Sequence, residues 1–398
     1  MKVKILIIRL SSIGDIVLTS LVVRCLKSQL ENAEIHFISK KQYDFILEAN
    51  PYIDKVHVLE ENFGELIHEL VPEKFNYIID LHNNFRSARL KRSLRAKSFS
   101  VNKLNWQKML LIRFKINRLP QKHIVDRYLE ATSELQIVND GKGLDYFISE
   151  KEEFKTKDLP RPFQKGFVAF VIAGTYNTKK LPVEKISEIC HKIDFPVILL
   201  GGKREFDEGE KVLSQSKGNI LNYAGKISLN SSASLVRDAK IVLTNDTGLM
   251  HIAAAFNKKI LSFWGNTVPA FGMVPYQPHP NSKLMEIEGL KCRPCSKLGF
   301  HKCPKKHFKC MNEIDVDTIV VSVGVSPNPL IPVALPNLKC TDWGTIVVNK
   351  ETMQSSIPEI FAGGDIVRGG ATVILAMGDG RKAAAGMHKY IQEKIKAN

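Results

Sequence analysis

The sequence predicts an α/β protein made of two similar parallel-sheet halves that face a cleft, followed by a C-terminal segment of another kind. Three observations lead there. Short apolar, β-rich runs alternate with helical patterns, as in βαβ units. A polar stretch at 151–165, with Pro160 and Pro162, interrupts the alternation like a linker. After it, the alternation restarts.

Each element has its own reason. Residues 3–8 are apolar but for Lys4, the mark of a strand buried on both faces. Residues 13–30 carry a helical pattern with Asp15 in the first turn. Strands are predicted at 34–38 and 77–81. In the second half, 166–172 reads as a strand ending in Ala173-Gly174-Thr175, 183–192 as a helix, and 196–200 as a strand running into Gly201-Gly202. Residues 232–238 and 249–256 read as helices, and 241–244 and 259–263 as strands. The predicted domains are 1–155, 156–314 and 315–398. In open α/β sheets ligands bind beyond the carboxyl ends of the strands, so the loops there are the first place to look for a site.

Composition sets the class. The chain of 398 residues is 44% hydrophobic and 25% charged, as in a globular protein. It has no apolar run of the roughly 18 residues that a membrane span needs. The apolar start meets Arg9 at once and lacks a small-residue cleavage site, so the sequence predicts a first strand and a cytoplasmic protein. The net charge is +16, and from Arg86 to Arg127 thirteen Lys or Arg stand against one acid, Asp126. Trp106, Leu110, Leu111, Ile112 and Phe114 are interleaved. Such a stretch suits an anionic lipid surface or a phosphorylated acceptor, and a solvated helical face accounts for it equally well. No nucleic-acid-binding motif accompanies it, so nucleic acid is not an expected partner.

Four groups of residues can carry chemistry. Asn245-Asp246-Thr247-Gly248 lies between a strand and a helix, where free N–H groups and the helix dipole favour an anion. Ordinary capping also explains these residue types, but not His251 three residues later. Gly174-Thr175 offers a second anion-binding turn, followed by Lys179 and Lys180. Asp15 follows Ser11-Ser12-Ile13-Gly14 and reads either as a general base or as an acid stabilising a helix N-terminus. Cys292, Cys295, Cys303 and Cys310 form a cluster that reads either as a structural zinc site or as a thiol-rich loop.

Taken together, Arg9-Leu10-Ser11-Ser12-Ile13-Gly14-Asp15 and Asp246-Thr247-Gly248-Leu249-Met250-His251-Ile252-Ala253-Ala254-Ala255 resemble the lipopolysaccharide heptosyltransferases, glycosyltransferase family 9. The resemblance covers residues 1–314. It implies a GT-B fold: an N-terminal acceptor-binding and a C-terminal nucleotide-sugar-binding Rossmann-like domain. It implies inversion at the anomeric carbon and no catalytic metal. By resemblance Asp15 falls on the catalytic base and Lys179 on the lysine that neutralises the departing diphosphate. Asp246 lies near the donor sugar, and Thr247, Gly248, Leu249 and His251 fall on the diphosphate turn. Gly174 and Thr175 fall on the second phosphate loop, Glu205 on a nucleoside contact and Ile227 on the adenine site.

Residues 315–398 instead resemble the carboxyl end of the glutamate synthase small chain, through Ala362-Gly363-Gly364-Asp365 and Ala376-Met377-Gly378-Asp379-Gly380-Arg381. The glycine-rich strand–turn–helix that flavin binding also needs is missing, so the tail reads as a fusion remnant without FAD. The expected function is transfer of heptose from ADP-heptose to a lipid-linked lipopolysaccharide acceptor, at or near the inner face of the inner membrane. The alternatives are a flavin- and NADPH-dependent oxidoreductase subunit, or a fusion that binds nucleotide sugar without turnover.

Overall fold

The computed structural model describes residues 2–323, 331, 334–341, 344–368 and 373–397. Two compact units are present, Met1–Ile314 and Asp315–Asn398.

The first unit contains two wholly parallel sheets. The N-terminal sheet has β1 (Val3–Ile8), β2 (Ala33–Lys40), β3 (Lys55–Leu59), β4 (Tyr77–Asp80) and β5 (Lys97–Ser100), in the order β3-β2-β1-β4-β5. The C-terminal sheet has β6 (Val168–Val171), β7 (Val197–Leu200), β8 (Ile220–Asn222), β9 (Ile241–Asn245), β10 (Ile260–Trp264) and β11 (Lys283–Glu286), in the order β11-β10-β9-β6-β7-β8. Each sheet starts at its centre and winds outward in both directions. The strand order therefore reverses between β1 and β4, and again between β6 and β9, and a crevice for ligands opens at such a point.

The central strands are the apolar runs of the sequence. Ile5 to Ile8 and Val168 to Val171 are fully buried. The strands that the periodicity missed, β3, β5, β8 and β11, lie at or next to a sheet edge. They are short or rich in lysine and other polar residues, as edges that must not recruit another chain are.

The helix predicted at 13–30 is two helices, α1 (Ile13–Val17) and α2 (Ser20–Gln29). Thr19 divides them: both its N–H and its hydroxyl donate to the Ile16 carbonyl, at 2.9 and 2.7 Å, which tightens the turn. Three further helices follow the edge of the N-terminal sheet: α3 (Phe63–Leu70), α4 (Phe85–Leu94) and α5 (Asn105–Phe114). Next comes α6 (Ile124–Glu130), and the 151–165 stretch holds the short α7 (Arg161–Gln164). The second sheet is served by α8 (Val183–Lys192), α9 (Phe206–Gln215), α10 (Leu229–Asp238) and α11 (Gly248–Ala255).

The second unit has isolated bridges at Cys340–Ile346, Val348–Ser355 and Gln354–Phe361, around a small core of Leu338, Ile346 and Ala362. Its long helix is Val373–Ala397. In the predicted helix 371–395, residues 371 and 372 fall outside the described residues, as does the junction stretch 324–329. Gly364 takes φ +81°, and its N–H donates to the Asp379 carboxylate at 3.3 Å. Arg368 donates to the same carboxylate at 2.5 Å. The tail's conspicuous Gly-Gly-Asp turn is thus closed on its own helix.

Candidate active site

The loops after β1 and β9 meet in one cavity of about 520 Å³. Its walls include Asp15, Thr175, Lys179, Asp246, Thr247, Gly248 and His251. It opens where the strand order reverses in both sheets.

Two glycines bring the loops together. A Cβ on Gly14 would lie 2.7 Å from His251 Cδ2, and one on Gly248 would lie 2.6 Å from Ile13 Cγ2. The N-termini of α1 and α11 therefore touch, and only hydrogen fits at either contact.

Asp15 is held from two sides. Arg9 forms an ion pair with one of its oxygens at 2.6 Å. The Ser12 hydroxyl and N–H donate to the other, at 2.8 and 3.2 Å. Arg9 also donates to the carbonyls of Ser11 and Leu81, which ties the β1 loop to the β4 loop. Burial pushes the Asp15 carboxyl up, but Arg9 and Ser12 outweigh it and hold its pKa below the ordinary aspartate value. Asp15 stays ionised at neutral pH.

Capping does not account for the turn after β9. Thr247 occupies the N-cap of α11 with no side-chain cap bond, so the first N–H groups of that helix face the cavity unclaimed by a side chain. Asn245 is the structural member of the run. It accepts from the Leu181 N–H at 3.1 Å and donates to the Ala173 carbonyl at 3.0 Å, joining the loops after β6 and β9.

The two adjacent lysines part company. Lys179 Nζ meets Asp246 at 2.5 Å, and Asp246 also accepts from the Thr267 hydroxyl at 3.0 Å. Lys180 turns inward to Glu205 at 3.3 Å and Glu208 at 2.5 Å, and its stem packs on Gly174. Glu205 is buried, and it also accepts from the Gly202 N–H at 3.0 Å. Neither Glu205 nor Ile227, Gly174 or Leu249 lines the cavity.

His251 is buried, and its Nδ1 has no hydrogen-bond partner among the protein atoms. Burial lowers its pKa to about 4, so it is neutral at pH 7. The unfolded chain, with an ordinary value near 6.5, binds the proton first as pH falls. His251 therefore costs the fold nothing by ionisation above about pH 6.5 and destabilises it progressively as pH falls from about 6.5 to 4, on the order of 3 kcal/mol in all. His251→Asn is expected to flatten the pH dependence of stability in that window. Chemical denaturation from pH 7 to 4 measures it, and an unchanged slope would refute the assignment.

One part of the site went unnoticed residue by residue in the sequence. Lys103 and Lys108 from the basic segment and Lys297 from the cysteine-rich loop line the same cavity. Behind them Arg127 is buried, donates to the Phe271 carbonyl at 3.1 Å, and keeps Nε and one terminal nitrogen unpartnered. Burial lowers the pKa of Lys108 to about 8, with Arg127 and Lys297 adding to the shift. The run of basic residues with a single acid was the available signal. Which of them turn inward depends on α5 and α6.

The four clustered thiols are all free. Cys295 Sγ donates to the Cys292 carbonyl at 3.1 Å, and burial pushes the Cys310 thiol up to about 11. A zinc tetrahedron with bonds of about 2.3 Å would bring its sulfurs within roughly 3.8 Å of one another. Among the described residues, the group of three or more metal-ligating side chains whose donor atoms gather within 4.8 Å is instead His36, His57 and Glu73. Those are already engaged: His36 with Glu34 at 3.0 Å, and Glu73 with Lys4 and Lys55 at 2.6 and 2.7 Å. The cysteine-rich loop has a clear structural part. Thr178 and Phe300 exchange hydrogen bonds, and the Cys295 N–H donates to the Asn266 carbonyl at 3.1 Å, which pins Lys297 and Leu298 at the cavity.

Comparison with known proteins agrees with this geometry. The model of glycosyltransferase family 9 (heptosyltransferase) matches residues 63–299, more than half of the chain. Lipopolysaccharide heptosyltransferase 1 of Campylobacter coli is 27% identical over 289 residues, covering 66% of this chain and 84% of that protein. The structure of E. coli ADP-heptose lps heptosyltransferase II superposes with a TM-score of 0.61 at 19% identity, over 81% of this chain and 97% of that one, which shows the shared GT-B fold. At the other end, a pyridine nucleotide-disulphide oxidoreductase model matches residues 282–380. The glutamate synthase [NADPH] small chain of Azospirillum brasilense is 41% identical over 86 residues, 21% of this chain but only 18% of that protein. With two outward-wound sheets, a site at both switch points and a family match over most of the first unit, the chain belongs to glycosyltransferase family 9, the heptosyltransferases, and carries an oxidoreductase-like fragment at its C-terminus.

Proposed function

We propose that this glycosyltransferase moves a heptose from ADP-heptose to an inner-core sugar of a lipopolysaccharide acceptor, with inversion at the anomeric carbon. The observation that carries the reading is the meeting of Asp15 with the uncapped N-terminus of α11 across one cavity. The names of the relatives supply the donor and the acceptor class.

The chemistry follows from the two walls. The donor diphosphate sits on the Thr247–Gly248 N–H groups, with Lys179 steered toward it by Asp246 and Thr267. The acceptor hydroxyl gives its proton to Asp15 as its oxygen bonds to C1. The bond from C1 to the phosphate oxygen breaks on the opposite face, and the charge leaves on the diphosphate. Preorganised N–H groups and a cation are worth most there, because the charge develops where they already point. Lys103, Lys108 and Lys297 also line the cavity, with the buried Arg127 adding to their positive field, and suit the acidic groups of an inner-core acceptor. No step needs a metal or a flavin.

Calorimetric titration tests the donor half. ADP should bind more tightly than UDP or GDP. Lys179→Ala should weaken ADP by about 1–3 kcal/mol, the worth of a charge-assisted bond. Lys180→Ala should leave the affinity nearly intact and lower thermal stability instead, because it strands Glu205 in the interior. The reverse ranking would refute the donor assignment.

For the tail, the reading is that residues 315–398 bind no FAD and take no part in transfer. Asp379, within one of the two flavin-like motifs, is already engaged by Arg368 and the Gly364 N–H. The purified protein should be colourless, and deletion of 316–398 should leave turnover per folded molecule within about twofold, since the dinucleotide-binding βαβ unit is absent. Stoichiometric FAD would overturn this.

A further inference from the structure

The helix that supplies Lys108 to the cavity has a second face. Within α5, Leu111 is buried and Lys108 points to the cavity. At 3.6 residues per turn, Trp106, Met109, Leu110, Arg113 and Phe114 share an arc of about 140° on the other side. Trp106 is 66% exposed, Phe114 58% and Met109 36%, and Ile116, just past the helix, is 49% exposed. Single exposed apolar residues are ordinary, but a tryptophan, a phenylalanine, a methionine and an isoleucine within eleven residues of exposed surface are not.

The charges around this face all have one sign. Arg113 and Arg118 are exposed, and among the described residues neither is paired with a carboxylate. Between Arg86 and Trp106 there is no acid, and after Trp106 none before Asp126. The helix is also held in place. Lys115 Nζ donates to the carbonyls of Pro294 at 2.8 Å and Cys292 at 3.3 Å, which clamps its C-terminal end to the cysteine-rich loop. The aromatic face is therefore presented by a fixed platform.

We propose that α5 is a membrane-docking element, which lies in the headgroup region of an anionic bilayer with Trp106, Met109 and Phe114 in the acyl boundary and Arg113 and Arg118 on lipid phosphates. Aromatic and aliphatic side chains on one face of a short helix, flanked by arginines, match that boundary: the rings suit its amphipathic depth and the cations its negative potential. A protein partner of matching acidity is the competing occupant. A bilayer fits better because exposed apolar side chains and exposed arginines are interleaved along one short stretch with no acid among them. The consequence is functional. One face of α5 rests on lipid while the other offers Lys108 to the cavity, so a lipid-linked acceptor would reach Asp15 without leaving the bilayer surface. This adds a partner to the transferase reading and rests on it only for that consequence.

The test uses the full-length protein and vesicles of phosphatidylethanolamine with roughly one quarter phosphatidylglycerol, against vesicles of phosphatidylcholine alone. The wild type should co-sediment with the anionic vesicles, lose that binding at high salt, and show a blue shift of Trp106 fluorescence that is absent in Trp106→Phe. The double variant Trp106→Ser/Phe114→Ser should lose at least about tenfold in vesicle partitioning, from the apolar area removed. It should keep its circular dichroism and its turnover on a lipid-free acceptor. Sedimentation of the double variant equal to that of the wild type would overturn the proposal. So would no binding by the wild type, or a concentration-dependent dimer abolished by the same substitutions, which would make the face an interface between copies. Failure of turnover on the lipid-free acceptor in the wild type would count against the transferase reading and leave the docking result standing.

Discussion

Asp15→Asn lowers kcat by roughly 10²–10⁴-fold, the usual worth of a general base, and leaves ADP affinity within about twofold. The amide keeps the shape and can still meet Ser12, but it cannot take the acceptor's proton. The donor wall is built from Thr175, Lys179, Thr247 and Gly248 of the other sheet, so nucleotide binding should not feel the change. Arg9 loses its ion-pair partner, and some thermal stability goes with it. The pH dependence separates this group from His251. With its folded pKa held below the ordinary carboxylate value, the stabilising contribution of Asp15 is complete above about pH 4 and disappears only as pH falls through the folded value. Its catalytic role follows the same limb, so turnover should show no acid loss near neutrality that traces to Asp15. Steady-state kinetics with calorimetric ADP titration decide the matter. Turnover near the wild-type level in Asp15→Asn would remove the base from the mechanism.

Gly248→Ala is the second large effect, expected to lower kcat/KM by at least about 100-fold, the scale of a misplacement near 1 Å. The substitution is favourable for a helix by itself. Its cost comes from Ile13, whose Cγ2 would lie 2.6 Å and whose Cβ 3.0 Å from the added methyl, with the Gly14 nitrogen at 3.2 Å. None of those atoms is the free end of a long side chain, so the N-termini of α1 and α11 must separate. Asp15 and the diphosphate turn then lose their register across the cavity. Shortening Ile13 to Ala in the same protein should restore part of the activity, because the pair shares one contact. Gly248→Ala with normal kinetics, or a double variant that merely sums two losses, would show that the two loops do not depend on this contact.

Much of the fold and part of the site were legible in the chain. The central strands β1, β6, β7, β9 and β10 are mostly apolar and mostly buried, broken only by Lys4, Thr244, Asn245 and Ser262, because a parallel strand covered on both faces has no polar side to alternate with. Asp15 and the Asp246–His251 run were visible as polar residues and glycines placed at strand-to-helix turns. The edge strands β5 and β11 were not legible, since their lysines and serines answer to solvent rather than to a core. Arg9 carries no role of its own in the sequence beyond opening the Arg9–Asp15 motif, although it sets the electrostatics of Asp15.

By itself the sequence determined the class of the protein. The alternation of elements, the two turn motifs and the tail's Gly-Gly-Asp segment are local patterns, and local patterns survive without coordinates. Only the tertiary structure decided which residues meet. It put Lys179 in the cavity and its neighbour Lys180 in the interior, because an extended residue beside a short turn points its side chain to the opposite face. It spent Glu205 on an N–H and a buried lysine, gathered Lys103, Lys108 and Lys297 from separate segments around one cavity, and turned Trp106 and Phe114 to solvent. Such choices depend on packing between elements far apart in the chain, and no spacing within one element encodes them.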